Sequence, residues 1–395
     1  MPDLVQPSAF PQNAEPLLLT PGPLTTSRRT KEAMLRDWGS RDSAFISMTG
    51  EIRARLLNMA GGEGQFECIP MQGSGTFAVE SMIGTLVPKD GKALVLANGS
   101  YGKRAAAILN KIGRAHSVID KGDYLPPRET DVTAALTADP SITHVIAIHC
   151  ETSSGILNPI AELADATRSA GCRLLVDSMS AFGAIPIDAK NLPFEAMVSS
   201  SNKCLEGAPG FGFVIADTNA LEMAADNCHS LSLDAHAQLT GFNRNGHWRF
   251  TPPTHVVAAF LEALRQHEQE GGVAGRNRRY SRNRDVLVSE MRALGFETLL
   301  DDEWLSPIIV TFFNPADPAF DFRCFYELIR QRGFLIYPGK LTEVDSFRIG
   351  CVGHLDEDAM RGVCVAIREA LGELGVRDAR PPDESLRERD RLRAA

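Results

Sequence analysis

Arg173-Leu-Leu-Val-Asp177-Ser-Met-Ser180 is a short apolar run that ends in a carboxylate. Twenty-six residues after that aspartate comes a lysine, in Ser199-Ser-Ser-Asn202-Lys203-Cys-Leu-Glu-Gly207. A brief apolar stretch stopped by polar turn residues reads as a buried strand. Working outward, similar runs stand at Ala93 to Ala97, His144 to His149, Ala196 to Ser199 and Gly212 to Ala216, and helical patterns lie between them. This alternation, from residue 60 to about 215, predicts an α/β unit whose parallel sheet is covered by helices on both faces. One helix is expected from Pro159 to Ala170, capped by Asn158 and stopped at Gly171; another follows Gly102 and stops at Gly113. After Pro252-Pro253 the rhythm changes. A long helix over His255 to Glu270 ends at Gly271-Gly272, and amphipathic patterns at Arg282 to Leu294, Asp321 to Arg332 and Asp356 to Leu371 alternate with strands at Ile308 to Phe312 and Phe347 to Ile349. That pattern predicts a smaller α+β domain.

Composition bounds the function. With 395 residues, 44% apolar and 23% charged, the chain is an ordinary globular protein of two or three domains. A net charge of −9 and a pI near 5.6 disfavour nucleic-acid binding, which draws on an excess of Lys and Arg. Eight cysteines without C-x-x-C spacing read as reduced thiols in a cytoplasmic protein. Residues 1–15 lack the apolar core of a signal peptide, no segment suits a membrane span, and no histidine has metal-ligand spacing, so no metal is expected. The charged stretch 376–395, with Pro381-Pro382 and no hydrophobic period, is expected to be a disordered or loosely docked tail.

Several loops carry chemistry. Gln72-Gly73-Ser74-Gly75-Thr76 precedes a helical pattern over Phe77 to Leu86, so its N–H groups and hydroxyls can hold an anion at a helix N-terminus. The same residues read as an ordinary turn and cap. Gly99-Ser-Tyr101-Gly-Lys-Arg104 and His149-Cys-Glu151-Thr152-Ser153-Ser154-Gly155 each follow a strand. Tyr101 could lie flat on an aromatic ring or pack as a core residue, and Thr152 could bond a ligand oxygen or merely begin a turn. All these loops fall at the carboxyl ends of candidate strands, where open parallel sheets bind ligands. Lys203 and Asp177 then supply an amine able to condense with an aldehyde and a carboxylate able to keep a pyridine nitrogen protonated. Pyridoxal 5'-phosphate chemistry needs both.

The chain resembles the class V, fold-type I, pyridoxal phosphate-dependent aminotransferases, most closely those acting on 2-aminoethylphosphonate and pyruvate. The similar segments include Leu17-Leu-Leu-Thr-Pro-Gly22-Pro23, Asp37-Trp38-Gly-Ser-Arg41-Asp42, Gly73-Ser-Gly-Thr76, Gly99-Ser-Tyr-Gly102, Glu151-Thr-Ser-Ser-Gly-Ile-Leu-Asn158, Ser201-Asn-Lys-Cys-Leu-Glu-Gly207, Phe250-Thr251-Pro-Pro-Thr-His255 and Phe347-Arg348-Ile-Gly350. They run from about residue 17 to 372. The resemblance implies a mostly parallel seven-stranded sheet in a large cofactor-binding domain over 16–265, whose first part is an arm on a small domain over 266–375. It implies a homodimer with shared sites and no nucleic-acid or membrane partner. Lys203 would carry the cofactor and shuttle the proton, and Asp177 would pair with the ring nitrogen. Tyr101 would stack on the ring, Thr152 would contact its oxygen, and Ser74, Gly75, Thr76 and Asn202, with Thr251 from the neighbouring subunit, would hold the phosphate. Arg348 would grip the substrate anion, joined by Gly22 and Arg41.

Other readings remain for these residues. Arg348 could be a surface ion-pair partner, Arg41 could pair with Asp42, and the basic run from Arg276 to Arg284 reads as a solvated helix face. Cys204 is expected to be a packed thiol. A class V transaminase using alanine or serine with glyoxylate or pyruvate would need the same lysine, aspartate and arginine. A cysteine desulfurase-like lyase would need a mobile cysteine near the substrate, for which Cys324 and Cys351 are the candidates. A regulatory protein that has lost catalysis fits poorly with the presence of Lys203.

Overall fold

A computed structural model of the chain describes residues 15–339 and 344–394; residues 1–14 of the expected N-terminal tail lie outside them. Seven strands form the main sheet: β1 (Phe66–Gln72), β2 (Lys92–Ala97), β3 (Ala115–Asp120), β4 (Ile142–Ile148), β5 (Arg173–Asp177), β6 (Ala196–Ser200) and β7 (Phe211–Asp217). Their order is β1-β7-β6-β5-β4-β2-β3. Only β7 runs against its neighbours; the remaining pairs are parallel. Two of these strands escaped the sequence reading. β3 is an edge strand too exposed to show an apolar run, and β1, at the other edge, carries Pro70, which a sheet accepts best at its margin.

Side chains alternate between two cores. From β7, Phe211, Phe213 and Ile215 enter one cluster while Val214 and Ala216 enter the other; from β5, Leu174 and Val176 face Leu175 across the sheet. Burial on both faces makes such strands read as continuous apolar runs. Helices α1 (Gly75–Leu86) and α2 (Ser100–Lys111) start at the carboxyl edge. Val87 is extended because Pro88 follows it, which ends α1. Asn158 does not cap the helix after it. Its amide instead donates to Ile148 O and exchanges bonds with Asn98, tying the ends of β4 and β2 together.

The expected boundary at 265–266 falls inside α3 (Thr254–Gln269), and Gly271, φ +99°, separates that helix from α4 (Gly272–Ala293). In the small domain an antiparallel sheet, β8 (Ile309–Phe313), β10 (Ser346–Gly350) and β9 (Tyr337–Pro338) in that order, packs with α4, α5 (Phe322–Gln331) and α6 (Glu357–Leu374). The N-terminal strand Leu17–Leu18 pairs with Phe334–Leu335, and Leu19 is buried in the small-domain core. The charged tail departs from expectation. Asp383–Ala394 forms a helix, α7, whose Leu386 and Leu392 pack on that core while Arg389 donates to Thr298 O. Two leucines supply enough apolar contact to dock a helix whose composition hides any period. Among the described residues no helix is long and apolar enough to cross a membrane.

Candidate active site

The carboxyl ends of β1, β2, β4, β5 and β6 meet at one edge of the sheet, and a cavity of about 410 Å³ opens there. Ser74, Gly75, Thr76, Tyr101, Asp177, Asn202 and Lys203 line it together. Ser74 is the N-cap of α1 yet makes no side-chain cap bond, so the helix presents unsatisfied N–H groups beside two hydroxyls. Asp177 ends β5 with 6% of its surface exposed and accepts from Met179 N at 2.9 Å. Burial, reinforced by the nearby Glu151 carboxylate, pushes its pKa up to about 6. Burial also holds the Lys203 amine below the usual lysine range, which favours the nucleophilic neutral form.

Gly22, Thr152 and Arg348 are not among the residues that line this cavity, although Gly22 lies against Lys203. Lys203 Nζ donates to Pro21 O at 2.8 Å, and a Cβ added at Gly22 would lie 2.4 Å from that nitrogen. Thr152 Oγ1 is buried without a hydrogen-bond partner, while its carbonyl accepts from Arg348 Nη1 at 2.8 Å. Arg348 is buried, with Nε donating to Pro338 O at 3.1 Å, and makes no salt bridge among the described residues. Arg41 and Thr251 lie elsewhere. They line a separate groove with Arg249 and Phe250 and do not reach the Lys203 cavity of their own chain. Asp42 does not pair with Arg41; it caps the following helix by accepting from Ala44 N at 2.9 Å.

Two further residues support the cavity, Arg104 from its wall and Glu151 from behind Tyr101. Arg104 stacks on the Tyr101 ring at 4.5 Å and donates to Thr76 Oγ1 at 2.7 Å. That bond occupies a lone pair of the hydroxyl and leaves its proton free to point elsewhere. Glu151, wholly buried, accepts from Tyr101 N at 2.8 Å and Gly102 N at 3.3 Å at the N-terminus of α2, and from Ser153 Oγ at 2.5 Å. The i, i+3 spacing of Tyr101 and Arg104 was the one available sequence signal for Arg104; Glu151 had none. No cysteine lines the cavity among the described residues: Cys351 is buried in the small-domain core, Cys324 is exposed on α5, and the Cys204 thiol donates to Ser180 O at 3.1 Å.

The chain matches the family described as Aminotransferase class-V over residues 27–322. It is 63% identical over 381 residues to the 2-aminoethylphosphonate–pyruvate transaminase of Rhizobium meliloti (strain 1021), a match spanning 96% of this chain and 100% of that one. A transaminase of the same name from Paraburkholderia xenovorans (strain LB400) is 59% identical over 386 residues, 98% of this chain and 99% of its own. Among solved structures, pyridoxamine-pyruvate aminotransferase from Mesorhizobium loti aligns with a TM-score of 0.85 at 21% identity, over 98% of this chain and 99% of the other. The alanine–glyoxylate aminotransferase of Nostoc sp. aligns with a TM-score of 0.84 at 24% identity, over 93% and 97%. At such identities the structural likeness speaks for the fold.

Proposed function

The chain belongs to the class V aminotransferases, and from that premise we propose that the Lys203 cavity is where it transfers the amino group of 2-aminoethylphosphonate to pyruvate, yielding phosphonoacetaldehyde and L-alanine. The reading is carried by the 63% identity sustained over the full length of a relative with that activity in its name. On the same reading the enzyme works in the cytoplasm as a homodimer, with its cysteines unpaired.

The residues present fit pyridoxal 5'-phosphate. The orphaned Thr152 hydroxyl can bond the ring oxygen, the uncapped start of α1 with Asn202 can hold the phosphate, and Asp177 can pair with a protonated ring nitrogen. A cation beside Asp177 would stabilise the charge that burial disfavours. When bound, this cofactor supplies an aldehyde that exchanges amines and a ring that accepts the electron pair left by C–H cleavage. Tyr101, with the Arg104 guanidinium over its ring, lines the cavity and would stack on the cofactor ring. Lys203 Nζ, the only amine among the described lining residues, would hold the cofactor and would be the base placed to move the proton of the donor's amine-bearing carbon. Gly22 leaves that nitrogen room to move.

Arg348 supplies a buried guanidinium without a salt bridge among the described residues, suited to the carboxylate of pyruvate or the phosphonate of the donor. The donor has no α-carboxylate and carries up to two negative charges, so a second cation is required. Arg41, with Arg249 and Thr251 beside it, would supply that charge to the site of a second copy. The visible absorption of the holoenzyme tests the function. Loss of its resting band on adding 2-aminoethylphosphonate and recovery on adding pyruvate are expected. A band that ignores 2-aminoethylphosphonate yet collapses with alanine or serine would overturn the donor assignment.

A further inference from the structure

The basic run at the start of α4 is a solvated face only in part: Arg278 and Arg282 are exposed, but other members turn inward. Arg276 is 1% exposed, and with Arg279 and Tyr280 it converges on a single oxygen, Oε1 of Glu206. Tyr280 OH donates to it at 2.6 Å and Arg279 Nη2 at 2.8 Å, while Arg276 Nη1 lies 3.2 Å away. Glu270 binds the other side of both arginines, at 2.8 Å from each Nε. Glu206 itself has φ +56°, a left-handed conformation that disfavours residues with a Cβ, and its N–H closes the turn onto Lys203 O at 2.8 Å. Arg276 also donates to Cys204 O, next to the lysine.

The same helix reaches the other half of the site. Arg279 Nη1 donates to Gly353 O and, at 2.8 Å, to Leu355 O, and Gly353 N donates to Tyr280 OH at 3.2 Å. Gly353 to Leu355 continue the chain just past β10, the strand that carries Arg348. An unbroken series of bonds therefore runs from the Lys203 turn through Glu206, Tyr280 and Arg279 to the segment behind Arg348.

Building on the proposed function, we infer that Glu206 is a positioning residue. Its carboxylate holds the strained end of the Lys203 turn and, through Tyr280 and Arg279, sets the amine of the large domain in register with the anion-binding guanidinium of the small domain. A feature outside the cavity thereby governs the alignment of proton transfer with substrate binding, where a displacement near 1 Å can cost about 100-fold in rate.

The test compares wild-type, E206Q, E206G and Y280F holoenzymes. Three quantities are read per bound cofactor: the single-turnover rate of each half-reaction, KM for pyruvate, and the pH midpoint of the resting visible band. The expected result for E206Q and Y280F is a loss of about tenfold or more in both half-reactions, with a raised KM and a displaced pH midpoint. Glycine accepts the left-handed φ without strain, so E206G should be impaired as E206Q is; wild-type behaviour in E206G would overturn a role for the carboxylate. A lowered unfolding temperature with unchanged per-site rates, KM and pH midpoint would reduce the network to a structural brace and overturn the inference. Should E206Q fail to fold, Y280F, which keeps every charge, decides by the same criteria. If the wild-type protein does not cycle with 2-aminoethylphosphonate and pyruvate, the donor assignment falls, while the pH midpoint of the resting band still tests Glu206.

Discussion

Two buried arginines show how differently this molecule treats a charge behind the Lys203 turn and one beside the cavity. Arg276, behind the turn, is bonded to the carboxylate of Glu270 and lies within 3.2 Å of that of Glu206. Arg348, 4% exposed, donates among the described residues only to the carbonyls of Pro338 and Thr152. Burying a guanidinium is costly in either place, and burial pulls the Arg348 pKa down. Compensation by carboxylates turns the first into a brace. The second has no salt bridge among the described residues, which is what the proposed role as an anion receptor would need.

The largest effect should come where both regions meet, at the lysine itself. Lys203→Ala is expected to lower turnover on the order of 10⁴-fold, since it removes the amine that, on the proposed function, moves the proton; steady-state assays measure this, and a residual rate near wild type would break the comparison at its centre. The two arginines should then separate in opposite senses. Arg276→Met leaves Glu206 and Glu270 short of a partner and should cost about 3 kcal/mol of stability or more in denaturant unfolding. Arg348→Met should change stability by no more than about 1 kcal/mol yet raise KM for pyruvate by about 100-fold. Similar stability losses in the two variants would erase the distinction between brace and receptor.

Asp177 sharpens the comparison through pH. Its pKa in the folded chain is raised to about 6, so the folded form is most favoured below the ordinary aspartate range and stability is lost as pH rises through about 6. That loss is on the order of 3 kcal/mol for the cofactor-free protein. Buried His149, held down to about 4, acts oppositely and costs stability as pH falls. Unfolding curves of wild type and Asp177→Asn share the histidine term, so their difference should widen in favour of the asparagine between pH about 4 and about 7. A flat difference would place Asp177 in contact with solvent. The smallest effects are expected at the groove of Arg41 and Arg249. Replacing either by alanine should slow the half-reaction with 2-aminoethylphosphonate by about fivefold and the pyruvate half-reaction less, as followed by stopped-flow absorbance; equal losses would remove the need for a second cation.

Much of the fold was legible because its strands are buried on both faces, so β2, β4, β5, β6 and β7 each show as a compact apolar run ending in polar residues. β1 and β3 were not, being edge strands with Pro70 in one and a half-exposed alternation in the other. The amphipathic content of α4 misled in another way: a run of arginines reads as solvent-facing until the carboxylates that neutralise it are in place. At the cavity, Lys203 and Asp177 could be singled out as residue types placed at strand ends. The partition of Arg41 and Thr251 into a different groove could not, since no local pattern says how far a loop reaches.

The sequence by itself determined which segments become strands and helices, and that the polar loops gather at one edge of the sheet, because periodicity and turn residues act between near neighbours. Tertiary structure alone decided which charges are cancelled. Thr76 meets Arg104 across 28 residues, Tyr101 meets Glu151 across 50, and Glu206 meets Arg279 across 73. The partners of a buried charge are chosen by packing, and they decide whether it braces the fold or waits for a substrate.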